Sequence, residues 1–240
     1  ITFLYIFLPL LFLFYVLNKN ELYRKIILTI FSLIFYAWGE PIYILLMLFV
    51  VLINYLLSKL ILGNNVINKK VILVLAVTID IIILIFFKYT GMILQTINLL
   101  RIVKVPVFNL PLPLGISFYT FQIISYMIDV YRSKINIKPS FLSFLMYVSF
   151  FPQLIAGPIV RYIDIEKDIE IRSINYENVL NGAFRFIIGL SKKVILANSL
   201  GEIVNMINNN GNINITFVSS WLVSLIFVLQ LYFDFSGYSD

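Results

Sequence analysis

Apolar runs recur along the whole chain, at residues 3–17, 25–38, 41–62, 71–88, 112–131, 141–160, 179–197 and 217–240. A helical membrane crossing takes ~20 mostly apolar residues, so runs of this length leave only short connections in 240 residues. Charged residues make up 12%, about half the share in a soluble domain. Backbone polar groups cannot stay unpaired in lipid, and barrel strands would be shorter and would alternate polar with apolar. The expected fold is therefore all-α: a polytopic, multi-pass integral membrane protein, with residues 1–240 forming one membrane domain and no separate soluble domain.

The formal net charge is +6, but the Lys and Arg residues sit mainly in short segments flanking apolar runs. That is the pattern of membrane topology and of contact with an anionic lipid bilayer. No basic stripe interleaved with aromatics occurs in a water-exposed segment, so no nucleic-acid partner is expected. Cysteine and histidine are both absent, which excludes disulfides, thiolate or imidazole metal ligands, cysteine nucleophiles and histidine bases within these residues. The opening run has neither a basic region before it nor a small-residue cleavage site after it, and is not a secretion signal. With Ile1 at one end and an unfinished polar helix at Asp240, the sequence reads as a segment of a longer protein.

Alternation of charged flanks falters where "VPVFNLPLPLG" (105–115) and "FFPQLIAGPIVR" (150–161) interrupt the pattern. Pro106, Pro111 and Pro113 predict an extended approach to the following helix. Pro152, Gly157 and Pro158 lie inside an apolar stretch, where they free carbonyls that protein, water or a ligand must satisfy. The second stretch is either a re-entrant element or an ordinary proline kink. Residues 161–178 are the most charged and predict a surface loop or interfacial helix.

Polar residues inside apolar helices carry the chemical interest. Tyr119, Gln122, Tyr126 and Asp129 follow one another at spacings of three and four and form one stripe. Such a stripe serves either helix packing or the wall of a polar cavity. In the closing run, Gln230, Asp234 and Tyr238 share a face, while Tyr232, Ser236 and Asp240 share a nearly opposite one. Lipid cannot surround that end, so it should sit among protein or beside water. Asp80 stands alone in "VILVLAVTIDIIILIFF": a functional carboxylate, a protonated one, or one partnered from another helix.

Three long stretches, "PLGISFYTFQIISYMIDVYR" (113–132), "YVSFFPQLIAGPIVRY" (147–162) and "LQLYFDFSGYSD" (229–240), supported by "SLIFYAWGEP" (32–41) and "FFKYTG" (86–91), resemble in order and spacing the membrane-bound O-acyltransferase family. The match is to its bacterial alginate O-acetyltransferase-like branch. The resemblance implies a ring of transmembrane helices around a thin centre, with broken or re-entrant elements and a funnel where donor and acceptor meet. It implies transfer of an acyl group, in this branch acetyl, from a thioester donor such as acetyl-CoA or an acyl carrier to hydroxyls of an exported or cell-wall polysaccharide. The expected location is the bacterial cytoplasmic membrane. The acceptor is the polysaccharide itself or a periplasmic or extracellular acetyl-transfer partner protein, and no tightly bound cofactor or metal is expected.

By the same resemblance, Pro152, Gln153, Gly157, Pro158, Gln230, Asp234, Ser236, Gly237, Tyr238 and Asp240 occupy family motif positions. Gln122, Tyr126, Asp129 and Arg161 join them as candidate substrate-tunnel or motif positions. Donor phosphates would favour Arg185, Lys192 or Lys193, which topology explains equally well. The family's catalytic histidine lies downstream of the "FDFSGYSD" motif, so no catalytic residue is expected among residues 1–240. A D-alanyl transferase on the same fold, and a transporter or polymer-export channel with broken helices and intramembrane carboxylates, remain open alternatives.

Overall fold

The computed structural model describes residues 2–63, 68–100, 106, 110–135, 137–154, 157, 160–170, 175–209 and 216–240. Regular structure among them is helical. Two compact units are formed, Ile1–Ile155 with Ile159–Arg172, and Ala156–Pro158 with Ser173–Asp240.

The first unit contains α1 (Phe3–Leu17, its first turn π-helical), α2 (Glu21–Gly39), α3 (Tyr43–Leu62), α4 (Lys69–Leu99), α5 (Ile116–Tyr131), α6 (Phe141–Ser149), the single turn α7 (Phe151–Leu154) and α8 (Tyr162–Glu170). The second contains α9 (Tyr176–Ser191), a π-helical segment (Lys192–Ala197), α10 (Asn198–Asn209) and α11 (Phe217–Ser239). By length and composition α2, α3, α4 and α11 can each cross a bilayer. The all-α, multi-pass membrane architecture expected from the apolar runs is the one observed.

Helix starts follow local chemistry. The Asn20 side chain accepts from the Leu22 amide at 2.9 Å, so α2 begins four residues before its apolar run, through the charged turn that holds Glu21 and Arg24. Ser140, Asn175 and Thr216 cap α6, α9 and α11 in the same way, the last with a reciprocal bond from the Thr216 amide to Ser219 Oγ. Each cap satisfies an amide that has no partner inside the helix.

The structure corrects the predicted spans in three places. Residues 88–99, read as part of a connection, continue α4 without a break to Leu99. No proline occurs within residues 69–99, and a lone glycine at position 91 costs a helix only about 1 kcal/mol. The run 141–160 is not one helix: Phe150 leaves the helical region (ψ 110°) and α7 adds one turn. The run 179–197 is the middle of a continuous helical path from Tyr176 to Asn209.

In the first unit, α5 packs against α3 and α4, and α6 packs against α2 and α3. Met47 and Val51 of α3, Ala76 of α4, Ile123 and Met127 of α5 and Phe144 of α6 are fully buried there. On α3 the outer face is Leu45, Phe49, Leu52, Leu56 and Leu60, while Asn54 and Ser58 face inward. Helix α2 repeats this with Ile26, Ile30, Ile34 and Trp38 outside and Thr29 and Ser32 inside. A bilayer as solvent favours this distribution, since polar side chains find partners only within the protein.

The segment before α5 is held by the "FYAWGEP" motif at the end of α2. Tyr36 donates to the Leu114 carbonyl at 3.2 Å, the Leu114 amide donates to Glu40 Oε1 at 3.1 Å, and Tyr43 donates to the Pro111 carbonyl at 3.1 Å. Pro106 and residues 110–113 are non-helical, as their prolines predict, whereas 105 and 107–109 lie outside the described residues. Gly115 then opens α5 at φ +73°, with the Leu154 carbonyl oxygen 2.6 Å from where a Cβ would stand.

Candidate functional site

In the first unit, the polar stripe of α5 faces protein. Gln122, Tyr126 and Asp129 are all buried, as is Tyr119. Gln122 Nε2 donates to the Tyr147 carbonyl at 2.9 Å, and the Tyr126 hydroxyl donates to Ser58 Oγ at 3.3 Å. Arg161 donates through Nη2 and Nε to Asp129 Oδ1 (2.6 Å) and Oδ2 (3.3 Å). This two-point pair gives planar, charge-assisted recognition. Hydrogen bonding to Asp129, and then the charge of Asp129, raise the Arg161 guanidinium above its ordinary value.

The broken "PQLIAGP" element is tied down at both ends. Tyr147, just before it, donates its hydroxyl to the Val160 carbonyl at 2.9 Å, and the Phe151 amide donates to Ser32 Oγ at 3.3 Å. Tyr147, Tyr126 and Tyr162 stack edge to face or tilted, with ring centroids 5.2 to 6.5 Å apart. Phe151 sits among Phe3, Phe7 and Phe35. Tyr147 and Tyr162 lie outside the helical stripe that periodicity marks, although they are the first and last residues of the "YVSFFPQLIAGPIVRY" stretch.

Pro152 is exposed on α7, and Gly157 is buried in the following stretch. Pro158 lies outside the described residues. Gln153 is half-buried and lines a cavity of about 230 Å³ together with Tyr147, Phe150 and Asp168. Its Oε1 is shielded from solvent and has no hydrogen-bond partner among the described residues, and the same holds for Ser149 Oγ, four residues earlier. Buried acceptors of this kind call for an explanation such as a ligand or water.

A second polar node joins α3 and α4. Asp80 is buried and accepts from Asn54 Nδ2 at 2.8 Å, while Asp80 Oδ2 and Asn54 Oδ1 have no partner among the described residues. The structure supplies Asp80 with a partner on another helix.

In the second unit, the polar end of α11 is a contact seam. A Cβ on Gly237 would stand 2.7 Å from the Gly189 carbonyl, and one on Gly189 would stand 2.5 Å from that of Gly237. This glycine pair lets two helix backbones touch. Lys192 donates to Ser236 Oγ at 3.0 Å and ion-pairs with Asp240, and its neighbour Lys193 ion-pairs with Asp234. At about 100° per residue, Asp234 and Asp240 lie about 60° to either side of Gly237, with Gln230 nearly in line. Gln230 packs on Gly201, whose added Cβ would meet the amide nitrogen at 2.9 Å.

The division of this end into two opposed faces is therefore corrected. Gln230, Asp234, Gly237 and Asp240 form one stripe against α9, the π-helical segment and α10, while Tyr238 is exposed. Lys192 and Lys193, expected to suit donor phosphates, are partnered by the motif's own carboxylates.

Helices with apolar outer faces, polar inner nodes and a broken apolar element define an all-α, multi-pass membrane protein with its polar chemistry inside. Comparison with known proteins carries this further. The chain is 34% identical to the peptidoglycan O-acetyltransferase of Helicobacter pylori, over 99% of its own length and 51% of that protein's. It is 36% identical to the probable alginate O-acetylase AlgI of Pseudomonas aeruginosa and 35% identical to that of Pseudomonas putida, over 100% of its length and 46% and 50% of theirs. The chain thus spans about half the length of the curated relatives it matches. No family profile and no solved structure matches it. Over its whole length the chain is similar to these O-acetylating proteins, in keeping with the resemblance of its motifs to the membrane-bound O-acyltransferase family.

Proposed function

We propose that the protein containing this chain is a membrane O-acetyltransferase that moves acetyl from a thioester donor to hydroxyls of a cell-envelope polysaccharide. The observation that carries this is similarity, over the whole chain, to relatives named peptidoglycan O-acetyltransferase and probable alginate O-acetylase. Nothing in the comparisons supports D-alanyl transfer or a transport channel. In the reaction the acceptor oxygen attacks the thioester carbonyl, a C–O bond forms, the C–S bond breaks, and the thiol leaves. The hydroxyl proton needs an acceptor that works near neutral pH. With no histidine in these residues, that role falls to a histidine elsewhere in the full-length protein, and residues 1–240 supply framework and pocket wall within one membrane domain.

On this proposal Gln122, Tyr126, Asp129 and Arg161 position the broken element, and Pro152, Gln153, Gly157 and Pro158 form the wall that meets a substrate. The unpartnered Gln153 Oε1 beside its cavity supports that placement. Gln230, Asp234, Ser236, Gly237 and Asp240 hold α11 in register, with Tyr238 at its end. The proposed site of action is the bacterial cytoplasmic membrane, with acetyl-CoA or an acyl carrier as donor and the polymer or an extracytoplasmic transfer protein as acceptor. The test is alkali-released acetate from purified envelope polysaccharide. Deleting the gene should remove most of it, and the intact gene should restore it. Unchanged acetate in a deletion strain without a paralogue would refute the proposal.

A further inference from the structure

A groove of about 340 Å³ runs along the outer side of α5 in the first unit. Its floor is Phe121, Ile124 and Ile128, spaced three and four apart on one helix face, and its mouth is Arg132, Lys134 and Arg161. The mouth is built by the way α5 ends. Arg132 closes the helix, Ser133 takes the left-handed conformation at φ 54°, its amide donates to the Val130 carbonyl at 3.0 Å, and the Lys134 amide returns to the Asp129 carbonyl at 3.0 Å. This is a Schellman turn, and it turns the chain so that Lys134 stays beside Arg132. The acid lining the groove, Asp129, already has both oxygens bonded to Arg161. Among the described residues, neither Arg132 nor Lys134 has a carboxylate partner, and both are exposed.

Three cations around one neutralised acid leave the mouth positive, and the apolar floor leads away from it along a helix packed on the membrane-crossing α3 and α4. We propose that this groove is a binding site for an anionic phospholipid, with the headgroup phosphate at Arg132, Lys134 and Arg161 and an acyl chain along Phe121, Ile124 and Ile128. Basic pockets between membrane helices suit such headgroups, and a headgroup-sized anion alone would leave the apolar floor uncovered. The site does not depend on acyl transfer, and its test does not read that activity.

The full-length protein is purified in detergent, delipidated and titrated with phosphatidylglycerol, phosphatidylcholine or soluble glycerol phosphate, with bound lipid counted by native mass spectrometry. Phosphatidylglycerol should bind and the other two should bind far more weakly. Arg132→Gln with Lys134→Gln should weaken phosphatidylglycerol binding by roughly one order of magnitude, while the charge-preserving pair Arg132→Lys with Lys134→Arg should retain it. Phe121→Ser should weaken lipid binding through the floor with the cations intact. Equal binding of phosphatidylcholine, binding of glycerol phosphate as tight as that of the lipid, or phosphatidylglycerol binding indifferent to the Gln pair would each overturn the proposal. Loss of binding in the charge-preserving pair, with its unfolding temperature unchanged, would do the same.

Discussion

At the residue scale, two backbone positions carry geometry that their neighbours require. Gly115 combines a positive φ with a carbonyl oxygen where its Cβ would be, so Gly115→Ala should cost about 2 kcal/mol or more. It should lower the thermal unfolding midpoint in detergent by several degrees. Ser133 is the reverse case: a non-glycine residue in the left-handed region at a helix end. Ser133→Gly should raise stability by roughly 0.5–1 kcal/mol, seen as a higher midpoint in the same assay. The glycine at 115 was legible as part of a proline-rich approach to a helix, but its partner was not, since Leu154 lies 39 residues further along and meets it only through the fold.

Among elements, the seams are made by pairs from different helices. Lys25 of α2 ion-pairs with Glu170 at the end of α8 and also donates to Ser143 of α6 at 3.4 Å. Burial disfavours the charged Glu170 carboxylate, but the hydrogen bonds from Lys25 and Ser143, with the charge of Lys25, outweigh it and hold its pKa below the usual range. A depressed folded value stabilises the protein above the unfolded value, ~4.3, and that stabilisation is lost as pH falls through the folded value. The unfolding midpoint of wild type should therefore exceed that of Glu170→Gln at pH 6, and the gap should shrink steadily below about pH 4.3. In the second unit, Gly237→Ala drives a methyl into the Gly189 carbonyl. It should cost about 1–3 kcal/mol, as overpacking does, read by thermal unfolding. The sequence showed that the end of α11 is polar. It did not show that Asp234 and Asp240 share a seam, because that depends on which face meets Lys192 and Lys193.

On the scale of the whole molecule, the arrangement is that of a protein whose surroundings are as apolar as its core. Exposed Leu and Ile on α2 and α3 need no partner in lipid, whereas Asn54 and Asp80 must find one inside. Replacing Asn54 by Leu would leave the Asp80 carboxyl without its donor, at a cost of about 1–3 kcal/mol. Asp80→Asn removes an ionisable group from the span and should unfold no earlier than wild type. Denaturant titration of both variants in detergent separates these outcomes. The sequence by itself determined that the chain is helical, roughly where most helices lie, that proline and glycine interrupt the apolar stretch at 150–161, and which motifs are present, because proline placement and the length needed to cross a bilayer are properties of neighbouring residues. Only the tertiary structure decided that the α5 stripe is bonded to protein, that Lys192 and Lys193 answer the motif carboxylates, and that Glu170 pairs with a lysine 145 residues away. Those contacts come from helices meeting in three dimensions, where each buried polar group takes the partner that packing brings within reach.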